Sequence, residues 1–90
     1  MPTAPAFKPG PIDIEVGQLL KLKMVRNDDM SKSELARATG ISRPLIAEML
    51  NGNKAITMHA LDIMCRAIPG VKFREIVIEA DENTRERRFS

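Results

Sequence analysis

Hydrophobic residues recur along this chain with the spacing of helices. In the first predicted helix, four apolar residues follow the i, i+3, i+4, i+8 pattern of a single face: Val16, Leu19, Leu20 and Met24. Asp13 can cap this helix, which is expected to end near Arg26, where polar residues interrupt the pattern. Glu15 falls largely outside the apolar face.

Two shorter helices are predicted next, and the first of them has a clear start and stop. Ser31 and Glu34 form a capping box, in which each side chain satisfies a backbone N–H group at the start of the helix. This second helix is expected to run to Thr39 and to stop at Gly40, because glycine readily adopts the left-handed conformation that follows many helices.

The third helix is expected to start within residues 42–44 and to reach Leu50, where Asn51-Gly52 ends it. Pro44 disfavours the α conformation in the residue before it. Arg43 is therefore predicted to lie at or beside the cap of this helix.

A fourth helix is predicted from Thr57 to the residue before Pro69. Its apolar residues form two adjacent stripes: Leu61, Met64, Cys65 and Ile68 in one, and Ala60, Ile63 and Ala67 in the other. A helix that is apolar on most sides is expected at the centre of the core. After Gly70 the i, i+3, i+4, i+7 spacing favours a fifth helix over a strand. The residues that keep this spacing are Phe73, Ile76, Val77 and Ala80.

These elements predict an all-α fold of five short helices. With three Phe, no Tyr and no Trp, the chain is poorly suited to an all-β fold, which favours aromatic residues. Residues 1–12 hold four of the six prolines and are expected to form a flexible arm, because proline cannot donate a helical hydrogen bond. Residues 13–80 are the predicted domain, and the charged residues 81–90 are expected to form a frayed tail.

Charge and cysteine content narrow the range of partners. The formal net charge is only +2, but between Glu15 and Lys54 seven basic residues stand against five acidic ones. Any nucleic-acid surface is therefore expected in the first two-thirds of the chain.

The single cysteine excludes an internal disulfide and fits a reducing compartment. Neither a signal peptide nor a membrane span is recognised, so a cytoplasmic protein with no membrane partner is expected.

Candidate chemistry for catalysis is lacking in the sequence. We find neither the residue spacing of a metal site nor that of a phosphate loop or a catalytic triad. Cys65 and His59 lie six residues apart, which is about 240° around a helix, so they are not expected to act together. We therefore expect no enzyme, no metal, no cofactor and no small-molecule substrate.

The segment from Ser31 to Leu50 meets the demands of two helices that cross at a tight turn. A small residue is needed where the second helix passes close to the first, and Ala36 stands there. Gly40 supplies the positive φ that the turn requires, and Ile41 can plug the turn. The apolar anchors that are expected to point inward are Leu35, Ile46 and Met49.

This pattern resembles the helix-turn-helix of the lambda-repressor-like, Cro-type family of phage and bacterial regulators. The resemblance extends from Ile14 to Ala80, and it includes the Asn51-Gly52 stop and the segment GVKFREI after Pro69. It implies recognition of double-stranded DNA, with the third helix in the major groove.

The resemblance also implies roles for eight residues. Those expected to face the bases are Arg43, Pro44, Leu45 and Glu48. Those expected to contact phosphates are Lys32, Ser42, Asn51 and Lys54, of which Lys54 could reach either. The side-chain chemistry agrees for Arg43, whose guanidinium suits guanine, and for Glu48, which can accept from the amino group of cytosine. Pro44 and Leu45 offer only apolar contacts, such as one with a thymine methyl group.

The simplest function for this pattern is a small repressor that occupies an operator. Two alternatives stay open: an antitoxin that binds a toxin protein through the arm or the tail, and a protein-interaction module that has kept the fold and lost DNA binding. The apolar Pro44 and Leu45 keep the second alternative open. Outside the motif, Arg43 and Glu48 would be an ordinary solvent-exposed pair.

A homodimer on a palindromic operator is expected, because one recognition helix reads only a few base pairs. Ile78 is the candidate for apolar surface left over after folding, with Phe89 of the tail beside it at the dyad. The alternative is that Ile78 packs under the first helix and that the protein dimerises only on DNA.

Overall fold

The computed structural model describes residues 8–89, with the side chains of residues 8–86, as five helices joined by short loops. These helices are α1 (Pro11–Arg26), α2 (Lys32–Thr39), α3 (Arg43–Leu50), α4 (Met58–Ala67) and α5 (Phe73–Phe89). The described residues contain no strand, so the predicted all-α class is confirmed, and the fifth element is a helix. Within the same residues, no helix is both long and apolar enough to cross a membrane.

Helix α1 begins earlier than the sequence pattern predicts, and Asp13 is not its cap. The helix starts at Pro11, a position where proline loses nothing because the first N–H groups of a helix have no internal partner. Asp13 lies within the first turn, where its carboxylate accepts hydrogen bonds from Gly10 N at 2.9 Å and from Ile56 N at 2.8 Å. Asp13 therefore ties the start of α1 to the loop that precedes α4.

Helix α5 continues past Ala80 to Phe89, where the sequence predicts fraying. Asn83 ties this extension to α1, because its Nδ2 donates a hydrogen bond to Glu15 Oε2 at 2.9 Å. Glu15 is only 6% exposed, so a carboxylate that falls outside the apolar pattern of α1 is nevertheless enclosed. A buried carboxylate requires hydrogen-bond donors, and the charged end of α5 supplies one.

Both ends of the predicted domain thus carry more helix than the sequence indicates. Residues 11–12 belong to α1 rather than to an extended arm, and residues 81–89 belong to α5. Residues 8–10 of the proposed arm precede α1 without regular secondary structure, and residues 1–7 lie outside the described part of the chain, as does the side chain of Phe89.

The hydrophobic core is shared by all five helices. Each contributes at least one side chain that is essentially inaccessible to solvent: Leu20, Leu35, Ile46, Met64 and Ile76. The four apolar residues that predict the inner face of α1 are all buried, which confirms that face. Through this shared core, α2 and α3 pack against the other three helices, α1, α4 and α5.

Helix α1 approaches the end of α3 most closely at Gly17. A Cβ atom at this position would lie 2.9 Å from the carbonyl oxygens of both Met49 and Leu50. Only glycine allows the two backbones to come so near. This contact positions the C-terminal end of α3 on the body of the domain.

Cys65 belongs to the core, as the pattern of α4 predicts. It is buried, and its desolvation, with a smaller contribution from the charge of Asp62, raises the pKa of the thiol from 9.0 to about 11. Because the thiolate is the nucleophilic form, the Cys65 thiol is protonated and unreactive at neutral pH. Its role is packing.

Candidate nucleic-acid interface

Helices α2 and α3 form the predicted helix-turn-helix, and each begins at a side-chain cap. Ser31 Oγ accepts a hydrogen bond from Glu34 N at 3.0 Å, and Glu34 Oε1 accepts one from Ser31 N at 3.2 Å. The predicted capping box is therefore confirmed. Ser42 Oγ accepts from Leu45 N at 3.4 Å and caps α3. Arg43 follows as the first residue of α3, beside the cap as predicted.

The turn between the two helices is closed by hydrogen bonds and by one apolar side chain. Gly40 ends α2 with a φ of 78°, the left-handed conformation that the sequence predicts. Thr39 Oγ1 donates to Leu35 O at 2.8 Å and accepts from Ile41 N at 3.1 Å. Ile41 is half-buried and packs against the core. Its predicted position as the plug of the turn is confirmed.

One face of α3 is open to solvent, and it carries most of the residues that the sequence suggests as base contacts. Arg43, Pro44 and Glu48 are all exposed, and so is Asn51 at the end of the helix. Residues 44, 48 and 51 share the i, i+4, i+7 spacing of one helical stripe. The same stripe includes Ala47, which sequence reasoning missed because its methyl group carries no donor, acceptor or charge. Only its spacing from Pro44 could have identified it.

Leu45 differs from its neighbours on α3. It is half-buried and packs against the core, whereas the sequence suggests a contact with a base. Its position on the helix, one residue before the fully buried Ile46, places it at the boundary between the core and the open face. Only the exposed edge of Leu45 is free to touch another molecule.

Two basic side chains at the starts of α2 and α3 are available to bind an anion. Lys32 is the first residue of α2 and Arg43 the first of α3, and neither has an ion-pair or hydrogen-bond partner among the described residues. By contrast, Arg66 and Arg85 each pair with an aspartate four residues earlier on the same helix, at 3.0 and 2.9 Å. The positive end of a helix dipole adds to the charge of Lys32 and of Arg43.

The C-terminal end of α3 turns back on itself through Gly52. This glycine has a φ of 78°, and the N–H groups of Gly52 and Asn53 donate to Met49 O at 3.2 Å and to Glu48 O at 2.9 Å. These two bonds are the Schellman arrangement that closes many helices. The reversal brings Lys54 Nζ to 3.8 Å from Glu48 Oε2. Glu48, a predicted base contact, and Lys54, a predicted phosphate contact, therefore form an ion pair.

The described residues contain no group of three His, Cys, Asp or Glu side chains arranged to hold a metal ion. The surface around α3 carries exposed hydrogen-bond donors and charged groups, among them Arg43, Glu48 and Lys54. Such groups suit a polyanion with hydrogen-bonding edges.

Comparison with known proteins agrees with this geometry. The family model of the Cro/C1-type HTH DNA-binding domain matches residues 21–78, more than half of the 90-residue chain. The matched segment contains the complete helix-turn-helix together with α4 and the beginning of α5. Searches of curated proteins and of solved structures gave no significant match. The resemblance inferred from the sequence is confirmed, and the chain belongs to the Cro/C1-type helix-turn-helix family of DNA-binding domains.

Proposed function

We propose that this protein is a sequence-specific regulator of transcription that represses by occupying an operator in double-stranded DNA. The observation that carries the proposal is the open face of α3, which begins at an arginine with no partner among the described residues. The N-terminal residues of a recognition helix are those that reach base edges in the major groove. Because its partner is DNA, the proposed site of action is the cytoplasm.

The proposed base contacts follow from side-chain chemistry. Arg43 presents a planar fork of donors that matches the O6 and N7 acceptors of guanine. Glu48 can accept from the N4 amino group of cytosine. Pro44 and the exposed edge of Leu45 can offer apolar surface to a thymine methyl group.

The proposed phosphate contacts lie around this face. Lys32 and Ser42 stand at the starts of α2 and α3, and Asn51 and Lys54 stand where α3 ends. The oxygen of Ser42 accepts from Leu45 N, which leaves the hydroxyl proton free to be donated to a phosphate. Contacts of this kind set the register of the protein on the duplex without reading its sequence.

A comparison of Arg43→Ala with Lys32→Ala tests these assignments after preferred sites have been selected from random duplex DNA. Arg43→Ala should weaken binding to the selected site by roughly 1–3 kcal/mol and relax the preference at one base pair. Lys32→Ala should weaken selected and random duplexes equally, since phosphates are the same in both. The readout is the equilibrium affinity of each variant for both duplexes.

If Arg43→Ala lowered the affinity for both duplexes equally, this residue would not be a base contact.

The apolar Pro44 and Ala47 on the open face favour a second candidate function, a protein-interaction module. A wild-type protein that binds no duplex at low salt would support that function instead.

We further propose that the protein acts as a homodimer through α5. Ile76 and Ala80 on this helix face the core, whereas Val77 and Ile78 are exposed, the latter by 47%. An isologous contact around Ile78 would bury this apolar surface at a dyad. A dimer would present two α3 helices to the DNA, and helix-turn-helix dimers bind palindromic operators whose half-sites lie about one turn of DNA apart.

Sedimentation of the free protein tests the proposed dimer. Ile78→Asp should convert a dimer to a monomer, because it would place two like charges opposite each other in an apolar contact. Met58→Asp is the matched control, since Met58 is an even more exposed apolar residue, at 76%, on another helix. An Ile78→Asp variant that dimerises as the wild type does would move the interface elsewhere.

A further inference from the structure

The ion pair between Lys54 and Glu48 joins the end of α3 to the loop that follows. It exists because Gly52 adopts the left-handed conformation and reverses the chain, so that residue 54 returns to the level of residue 48. Both side chains remain accessible, with 57% of Lys54 and 55% of Glu48 exposed. The pair therefore lies in solvent, on the stripe of α3 that is proposed to enter the major groove.

A duplex would compete for this pair. Lys54 is proposed to contact a phosphate, and a phosphate is a rival anion for the ammonium group that Glu48 holds in the free protein. Exposed ion pairs are weak, so the exchange is possible. It leaves Glu48 as an unpaired carboxylate beside a polyanion. The resulting electrostatic repulsion lowers the affinity for every duplex alike.

The cost can be offset only where the edge of a base presents a hydrogen-bond donor. A carboxylate accepts hydrogen bonds and donates none. In the major groove these donors are the N4 amino group of cytosine and the N6 amino group of adenine, and that of cytosine is the usual partner of a glutamate. Duplexes that present only acceptors or a methyl group at this position leave Glu48 both unpaired and repelled. Discrimination then comes from a penalty on wrong sequences as well as from a gain on the right one.

We infer that the Glu48–Lys54 pair lowers the affinity of this protein for random DNA and so raises its specificity. Glu48 acts here in part through Lys54, by holding a cation that would otherwise bind any phosphate. This inference rests on the proposed function.

The experiment measures the affinity for a random duplex and for the selected site in a double-mutant cycle of Glu48→Gln and Lys54→Gln. Glu48→Gln should raise the affinity for the random duplex about 1.4- to 5-fold, the range that corresponds to an exposed ion pair. For the selected site the gain should be smaller or reversed, because glutamine accepts from cytosine through a neutral hydrogen bond that is weaker than that of a carboxylate, so the ratio of selected-site to random-duplex affinity should fall. In the Lys54→Gln background the same substitution should raise the random-duplex affinity much less.

Glu86→Gln is the matched control, because it removes the same charge from an exposed position on α5. It reports the general effect of net charge on binding to a polyanion. The pair itself is tested in the free protein by NMR, where Glu48→Gln should shift the Nζ resonance of Lys54 and Glu86→Gln should not.

Three outcomes would overturn the inference while leaving DNA binding in place. These are equal gains for Glu48→Gln and Glu86→Gln, an equal gain with and without Lys54, and a Lys54 resonance that ignores Glu48. A wild-type protein that binds no duplex at low salt is a different result. It would overturn the proposed function, and the inference with it.

Discussion

Raising the salt concentration from about 50 to about 200 mM should weaken binding to the selected duplex on the order of 150-fold. The reason is counterion release, since each lysine–phosphate contact frees cations that were condensed on the DNA. Lys32 and Lys54 are the proposed lysine contacts of each protomer, so a dimer makes four. Four contacts give a log–log slope of about −3.6. Titrations at several salt concentrations measure this slope directly.

Substitutions of single lysines show which residues contribute to this salt dependence. Lys32→Gln removes one contact from each protomer and should reduce the slope by about 1.8 in a dimer. Lys72→Gln is the matched control, because this exposed lysine precedes α5 and has no proposed role in binding DNA. A slope that is flat in the wild type would contradict DNA binding altogether. A slope that responds equally to both variants would contradict the placement of Lys32 at a phosphate.

Gly17→Ala should destabilise the domain by about 3 kcal/mol, the upper end of what overpacking costs. The new Cβ would meet the backbone oxygens of Met49 and Leu50 at 2.9 Å, and backbone atoms cannot rotate away as a flexible side chain can. The sign of the change in stability distinguishes this close contact from an exposed position. Inside an exposed helix, replacing glycine by alanine should stabilise the protein by about 1 kcal/mol. Denaturant unfolding of the free protein measures the change in the free energy of unfolding.

The matched control is Gln18→Ala, at the exposed position that follows Gly17 on α1. It should leave the free energy of unfolding nearly unchanged, since alanine is a good helix former and no contact is altered. If Gly17→Ala were as stable as the wild type, the close approach of α1 to α3 would be refuted. A destabilised variant should also bind DNA less well, because α3 is positioned by this contact.

The helix-turn-helix was predictable because its determinants are local. Ser31 and Glu34 are three residues apart, and their reciprocal hydrogen bonds depend only on the geometry of one helical turn. The left-handed conformation of Gly40 follows from the absence of a Cβ atom. The apolar periodicity of α1 and α4 likewise marked the residues that are buried. The family could be recognised from these signals.

The details of the proposed DNA surface were less predictable. The pattern of α3 did not distinguish Leu45, which packs against the core, from Pro44 beside it, which is exposed. Nor could it show that Glu48 and Lys54 meet, because their contact depends on the reversal of the chain at Gly52. A residue's type indicates what it can bind, whereas its neighbours in space decide whether it is free to do so.

Sequence alone therefore determined the five helices, the capped turn and the inner face of the domain, since each depends on residues a few positions apart. Only the tertiary structure decided how the start of α1 is tied to the loop before α4, and which residue near the end of α5 contacts α1. Asp13 binds Ile56 N across 43 residues, and Asn83 binds Glu15 across 68. Such bonds leave no periodic trace in a sequence. They form because packing of the core brings distant backbone and side-chain groups together, where each must find a hydrogen-bond partner.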